Sequence, residues 1–528
     1  MMPHLKTTTL CFIVVIMATI SAPYPKARAE SQILTIHSGP EPQTFDPHLA
    51  DSIDAWNLIN QIFEGLVRQH PTKLTPLPGA AERWDISPDG KIYTFHLRKG
   101  LIWSDGSPLT AFDFVYAWER AINPKTGSDQ GGNFYYIKNA KAYNTGILKN
   151  PRDLGFKALD AQTLRVELTS PFPALLDVLM MSTFVPVKKD VIEKYGDAWF
   201  RPEHMVSNGP FLLQEWKSYE RVTLVKNPHY WDANNVHLDK VICRLTEDYE
   251  TALRLYQSNE LSFDMYLPAG KIPELLRSHP DFHSVPTLGS YSYYLNTKRQ
   301  ALQDRHVRQA LSLAIDRKTL IDKILRIPHK IATGMIVPGI PGYPYETLVM
   351  YDPVRARQEL VTAGFGGGKD FPVLTLSYNT NELNKIIAES IQQMWKINLG
   401  INVNLQNQEW KTHLASLDHH EFDIARLGGI AQFPYPSTTL DEFLSSTPGN
   451  YSQWTDPRYD ALWDEADQEA DPKKRLNTYA KMEKLAMEAM PRIPIYFQTS
   501  TWLVKPSVKN LTVKPTMMYV LREASLSH

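Results

Sequence analysis

Between positions 92 and 97, Ile92, Thr94 and His96 alternate with Tyr93, Phe95 and Leu97, a two-residue period that predicts a strand with one buried face. Shorter runs of the same kind predict strands at 33–36, 164–168, 222–225, 373–378, 401–405, 494–497 and 501–504. Another leads out of the Ser207-Asn208-Gly209-Pro210 turn at Phe211. A different spacing marks helices. Ile53, Leu58, Ile59, Ile62 and Phe63 fall on one helical face, as do Val307, Ala310, Leu311, Ala314 and Ile315, where Asp316-Arg317 ends the run. Residues 250–256 and 386–399 also read as helices. Thr110 ahead of Ala111, Phe112 and Asp113 predicts an N-cap with an acid in capping-box position, and Phe114, Val115 and Trp118 supply that helix's apolar face. Pro88-Asp89-Gly90 and Ser104-Asp105-Gly106 predict tight turns. From Tyr291 onward the order becomes strand, helix, loop, strand, helix, which predicts an α/β lobe.

A chain of 528 residues exceeds one ordinary domain and suggests about three. Lys and Arg number 56 against 57 Asp and Glu, so a net charge of -1 gives no general attraction to nucleic acid. Lys6, the apolar run 10–20 and Ala27-Arg28-Ala29 fit the three parts of an export signal, with cleavage expected after Ala29. The run falls short of the roughly 20 residues that span a bilayer, and Cys11 after Leu10 makes a poor acylation site. Cys243 is then the one cysteine of the exported chain, in a strand-like setting that predicts a buried thiol rather than a nucleophile. No Gly-x-Ser-x-Gly, Walker loop or His-Glu-x-x-His is present, and His419-His420-Glu421 reads as a solvated turn. No catalysis, cofactor or metal is expected. The 12 tryptophans and 25 tyrosines suit either a cleft that grips varied side chains or a large core.

The order of residues from Ala80 to Trp118, together with Ser207-Asn-Gly-Pro-Phe211, Asn227-Pro-His-Tyr-Trp231 and Asn402-Val-Asn-Leu-Gln-Asn-Gln-Glu-Trp-Lys-Thr412, resembles the extracellular solute-binding proteins that deliver peptides to ABC importers. The likeness to the Gram-negative oligopeptide-binding proteins extends over nearly the whole mature chain. It implies an α/β, two-lobed periplasmic binding protein fold of the large peptide-binding type, with an extra middle domain in the first lobe. The domains expected are a signal peptide at 1–29, the first lobe at 30–76 and 207–288, the middle domain at 77–206, the second lobe at 289–499, and a return to the first lobe at 500–528. The function implied is capture of an oligopeptide or peptide-like solute between two closing lobes in the periplasm, by a monomer that presents it to a membrane permease. An exported hydrolase, or a signalling or chaperone module, stays open as an alternative.

The resemblance also implies a site. It puts Trp410 in the cleft and Arg426 against a peptide carboxylate, a task suited to the guanidinium's two parallel N–H groups. Family members carry a tryptophan, a cysteine and an aspartate where this chain has Gly429, Ile430 and Gln432, and the cysteine's disulfide partner falls at Gly289. Asn384 stands where a histidine meets the carboxylate of some longer peptides. Tyr135, Tyr291, Tyr293 and Glu64 are further candidates. With Gln432 in place of the ammonium-binding aspartate, a ligand with a blocked or missing amino group fits better, unless Glu64 or Asp441 supplies the lost charge. Gly428 and Gly429 are expected to leave room for bulk.

Overall fold

Two long antiparallel strands, Phe282–Leu295 and Arg492–Val504, organise the molecule. The computed structural model describes Met1 and residues 31–431, 433–447 and 449–527; the export-signal reading and Gln432 lie outside the described residues. Residues 32–528 form one compact unit.

The long strands sit in the middle of an 11-stranded sheet. On one side Phe282–Leu295 pairs with Ile424–Ile430, followed by Leu374–Asn379 and Val403–Gln408. On the other side Arg492–Val504 pairs with Phe263–Asp264, and Ile33–His37, Lys240–Arg244, Arg221–Lys226 and Phe211–Lys217 follow in order. The ladder between the two long strands shifts register twice, the second time between Tyr291, opposite Tyr496, and Ser292, opposite Pro494. At the first shift Pro286 lies opposite Thr499 and Ser290 opposite Phe497, so residues 287–289 bulge over Gln498.

The strand read at 92–97 is observed as Ile92–Leu97, with Tyr93, Phe95 and Leu97 buried. It is part of a separate four-stranded antiparallel sheet with Ala81–Ile86, Thr163–Glu167 and Phe156–Asp160. Helix Ala111–Ile122 covers this sheet; the Asp113 carboxylate accepts from the Thr110 backbone N–H at 2.7 Å and from its hydroxyl at 2.9 Å. Trp118 is fully buried beneath it among Phe134, Phe156 and Phe184. At the far end of this region Ser170 donates to Asp467, the Pro171 carbonyl accepts from the buried Arg475, and Phe172 packs edge-on to Phe433 and Tyr435. The C-terminal segment returns beside helix Ile53–Ile62, where Asn57 and Gln61 side chains hold the backbone of Tyr519 and Leu521.

Two boundaries differ from expectation. The strand read at 401–405 runs Val403–Gln408, because Gly400 ends the preceding helix in the left-handed region (φ 75°) and Ile401 is spent burying the turn. The pieces at 494–497 and 501–504 are one strand, since the polar Gln498-Thr499-Ser500 link stays in the sheet. There the Thr499 N–H donates to His329 and its hydroxyl to the Pro328 carbonyl. Cys243 is fully buried, and burial pushes its thiol far above the ordinary range. Trp103, Trp118, Trp199 and Trp395 are also fully buried, so core packing claims a share of the tryptophans.

Candidate functional site

Strand Ile424–Ile430 runs antiparallel to Phe282–Leu295 along its whole length but pairs with Leu374–Asn379 only through Ile424 and Ala425. Beyond Ala425 its outer edge faces no strand among the described residues. The Ala431 N–H donates inward to Leu288, so the alternation of the ladder turns the main-chain groups of Arg426, Gly428 and Ile430 outward. His413, on helix Trp410–Asp418, donates from Nε2 to the Arg426 carbonyl at 2.7 Å. The open edge thus begins at Gly428. Trp410 lies one helical turn before His413 on the same side and is 44 % exposed.

On one face of this strand Arg426 lies over Tyr291, its guanidinium carbon 4.5 Å from the ring centroid. Its Nη1 donates to the Asn379 side-chain oxygen at 3.1 Å, and its buried Nε meets no acceptor. Asn384 fixes that arrangement from beneath: its Nδ2 donates to the same Asn379 oxygen, and its own oxygen accepts from the Tyr291 hydroxyl at 3.1 Å. Tyr293 is fully buried, its hydroxyl 3.5 Å from that of Tyr291. Tyr291, Tyr293 and Asn384 therefore form a platform under Arg426, held out of solvent. Burial raises the Tyr291 phenol, the neighbouring Arg426 offsets part of that, and the ring stays neutral as an acceptor for the cation.

The opposite face is open. A side chain at Gly429 would touch nothing within 4 Å, whereas one at Gly428 would fall 2.9 Å from the Ser290 carbonyl. Only Gly429 leaves room; Gly428 is required by the close approach of the neighbouring strand. Gly429 lines a cavity of about 310 Å³ with Ser290, Tyr294, Asp441, Glu442 and Arg492. Glu442 is taken up by Arg492 at 2.5 Å and by the Tyr294 hydroxyl at 2.6 Å. Asp441 opens into the cavity, and burial together with the like charge of Glu442 pushes its carboxyl up to about 7. Ile430 and Ala431 connect this cavity to a second, of about 150 Å³, walled by Trp56, Met181, Thr183, Thr516 and Met518.

Two candidates from the sequence stand elsewhere. Glu64 is buried and its oxygens are occupied, accepting from Tyr230 Oη and Trp231 Nε1 at 2.5 Å each, with Arg522 at 3.7 Å. It lines a cavity of its own with Arg68 and Arg522, apart from Arg426. Tyr135 donates to Asn144 and lies near Lys141 within its own segment, away from Arg426. The positions of the family's missing disulfide do meet, because Gly289 is the cross-strand partner of Ile430. Asp441, named from the sequence as a possible replacement charge, lines the first cavity; Trp56, Met181 and Met518 carry no motif and reach the groove only through the tertiary fold.

A sequence model of the bacterial extracellular solute-binding proteins, family 5 Middle, matches residues 75–451. The chain belongs to family 5 of the bacterial extracellular solute-binding proteins. It is 35% identical over 525 residues to the periplasmic murein peptide-binding protein MppA of Escherichia coli, covering 97% of each chain. It is 35% identical over 500 residues to the probable deoxycholate-binding periplasmic protein YgiS of E. coli, covering 93% of each. Among solved family 5 structures, the unliganded open form of MppA superimposes with a TM-score of 0.85 at 35% identity, covering 95% of this chain and 98% of that one. Haemophilus influenzae OppA in complex with RPPGFSPFR gives 0.73 at 32% identity, covering 94% and 99%. The two-lobed family 5 fold is thus that of this protein.

Proposed function

We propose that this family 5 protein is the periplasmic binding component of an ABC importer and captures a peptide or peptide-like solute along the open edge of Ile424–Ile430. That edge carries the reading. Outward main-chain groups at Gly428 and Ile430 offer a peptide backbone what a further strand would offer, with affinity from the backbone and selectivity from flanking pockets. Arg426, braced by Asn379 and Tyr291, holds the ligand's carboxylate; Trp410 flanks the same end, and Gly429 opens the other face to a side chain. The lobes meet at the 287–289 bulge and Gln498, which supports boundaries at 288/289 and 499/500 and a middle domain around the four-stranded sheet. Binding needs no catalysis, cofactor or metal, and the relatives compared are named as binding proteins. The names of those relatives span a peptide ligand and an amphipathic acid without an amino group, so family membership leaves the ligand's amino end open.

Native mass spectrometry of protein purified without refolding identifies the co-purified solute, and calorimetry with that solute tests the site. Arg426→Lys keeps the charge but loses the planar fork, so affinity falls by about tenfold or more with the fold intact, the loss of a charged hydrogen bond of ~1.5–3 kcal/mol. Unchanged affinity in Arg426→Ala removes this residue from the site.

A further inference from the structure

The groove does not end at Met181 and Met518. Both residues also wall a third cavity, about 80 Å³ in volume, roughly enough for a few waters or one small charged group. Three cations line it, Arg68 from the first lobe and Lys514 and Arg522 from the C-terminal return, against one carboxylate, Glu64. That carboxylate is already engaged by Tyr230 and Trp231. Arg522 is 7% exposed; its Nη2 donates to Glu523 at 2.9 Å, while its buried Nε has no acceptor. Arg68 approaches Asp232 at 3.5 Å, too far for a good hydrogen bond, and its Nε and Nη1 also have no acceptor. Lys514 stands partly exposed on the tip of the hairpin formed by Thr512–Val513 and Tyr519–Val520, where it lines the cavity.

We propose that Arg68, Lys514 and Arg522 form an anion-binding subsite that receives an acidic group of the captured solute, whose apolar stem lies over Met181 and Met518. The occupant's identity rests on the solute-capture reading above; the subsite's existence does not. Three crowded cations, two of them arginines with unfilled N–H donors, form a site whose charge an incoming carboxylate completes, and the methionine walls suit an adaptable apolar fit. Burial and the like charges of Arg522 and Arg68 bring the Lys514 ammonium down to about 7, although Glu523 opposes them. The other titratable groups lining the cavity are Tyr519, whose phenol burial holds neutral, and Glu64, whose partner Tyr230 is likewise held neutral by burial. An anion needs the protonated lysine. Its affinity therefore declines as pH rises through 7.

The test compares N-acetylglutamate with the uncharged N-acetylglutaminamide, reading binding by calorimetry and by melting temperature. Wild type should bind the acid and raise its melting temperature, with the amide roughly tenfold weaker or more. Lys514→Met and Arg68→Gln should each remove that preference. Lys514→Arg should restore it and abolish the fall between pH 6 and 9, since a guanidinium stays charged there. Equal response to acid and amide, or an unchanged preference in Lys514→Met, overturns the subsite. So does acid binding lost in Arg426→Ala and kept in Lys514→Met, which would put the anion at Arg426 instead. Should N-acetylated tripeptides fail to bind while N-acetylglutamate behaves as expected, the peptide reading falls and the subsite stands.

Discussion

Asp441 shares the cavity of Gly429, and no cation offsets the burial and the Glu442 charge that raise its carboxyl to about 7. With Glu64 occupied by Tyr230 and Trp231, we propose Asp441, in the cavity beside Gly429, as the alternative to Gln432 for meeting a ligand's ammonium. The two residues predict different pH behaviour. A carboxylate binds an ammonium only when ionised, so a free-amino tripeptide should lose affinity as pH falls below 7, by up to about tenfold per pH unit. Its N-acetylated twin should not respond. Calorimetry at pH 5.5, 6.5 and 7.5 distinguishes them; pH-independent binding with a preference for the blocked peptide would return the role to Gln432, and Gln432→Asp would then shift preference toward the free amine. At this scale the sequence made Arg426, Trp410 and the altered run at 429–432 legible, because a local motif carries them. Arg68, Lys514 and Arg522 were hidden, since nothing local relates a residue after the first helix to a hairpin near the C-terminus.

The strands that build the site were legible where one face is buried and the other polar, as at Ile92–Leu97 and Leu374–Asn379, because burial imposes the two-residue period. They were cut short where buried polar residues stay in the ladder, as at Gln498-Thr499-Ser500, whose partners His329 and Pro328 come from elsewhere in the chain. The register of Phe282–Leu295 against Ile424–Ile430 was foreshadowed by two missing cysteines. Ala431 N–H to Leu288 makes the neighbouring Gly289–Ile430 pair a non-hydrogen-bonded one, where Cα atoms lie about 4.5 Å apart, within disulfide range. Gly289→Cys combined with Ile430→Cys should therefore form a disulfide on oxidation. An added Cβ at Gly289 would meet the movable end of Gln498 at 2.7 Å and the Thr287 hydroxyl at 3.0 Å, both side-chain ends that can give way. Non-reducing mass analysis should show the loss of two hydrogens, and urea melts a gain of about 2–4 kcal/mol. Two titratable thiols in the folded protein would mean that the register is wrong.

At the scale of the molecule, the conformation compares better with unliganded open MppA, at a TM-score of 0.85, than with another MppA structure, at 0.76, although identity differs only between 35% and 34%. The 287–289 bulge opposite Gln498 interrupts the ladder between the two long strands, and a bulged strand bends where it is interrupted. The cavities lie on both sides of this junction, with Ile430 and Ala431 facing Trp56, Met181 and Met518. A solute that touches both walls binds the closed state better than the open one, and that differential affinity is what drives closure. Protein stripped of its co-purified solute and refolded should therefore show a radius of gyration that falls when the solute is returned, measured by small-angle scattering. Its melting temperature should rise as well, reflecting about 2.7 kcal/mol of stabilisation at a hundredfold excess over Kd. Tight binding with stabilisation but no compaction would mean that the ligand rests on one lobe alone, and the role given to the bulge would be wrong.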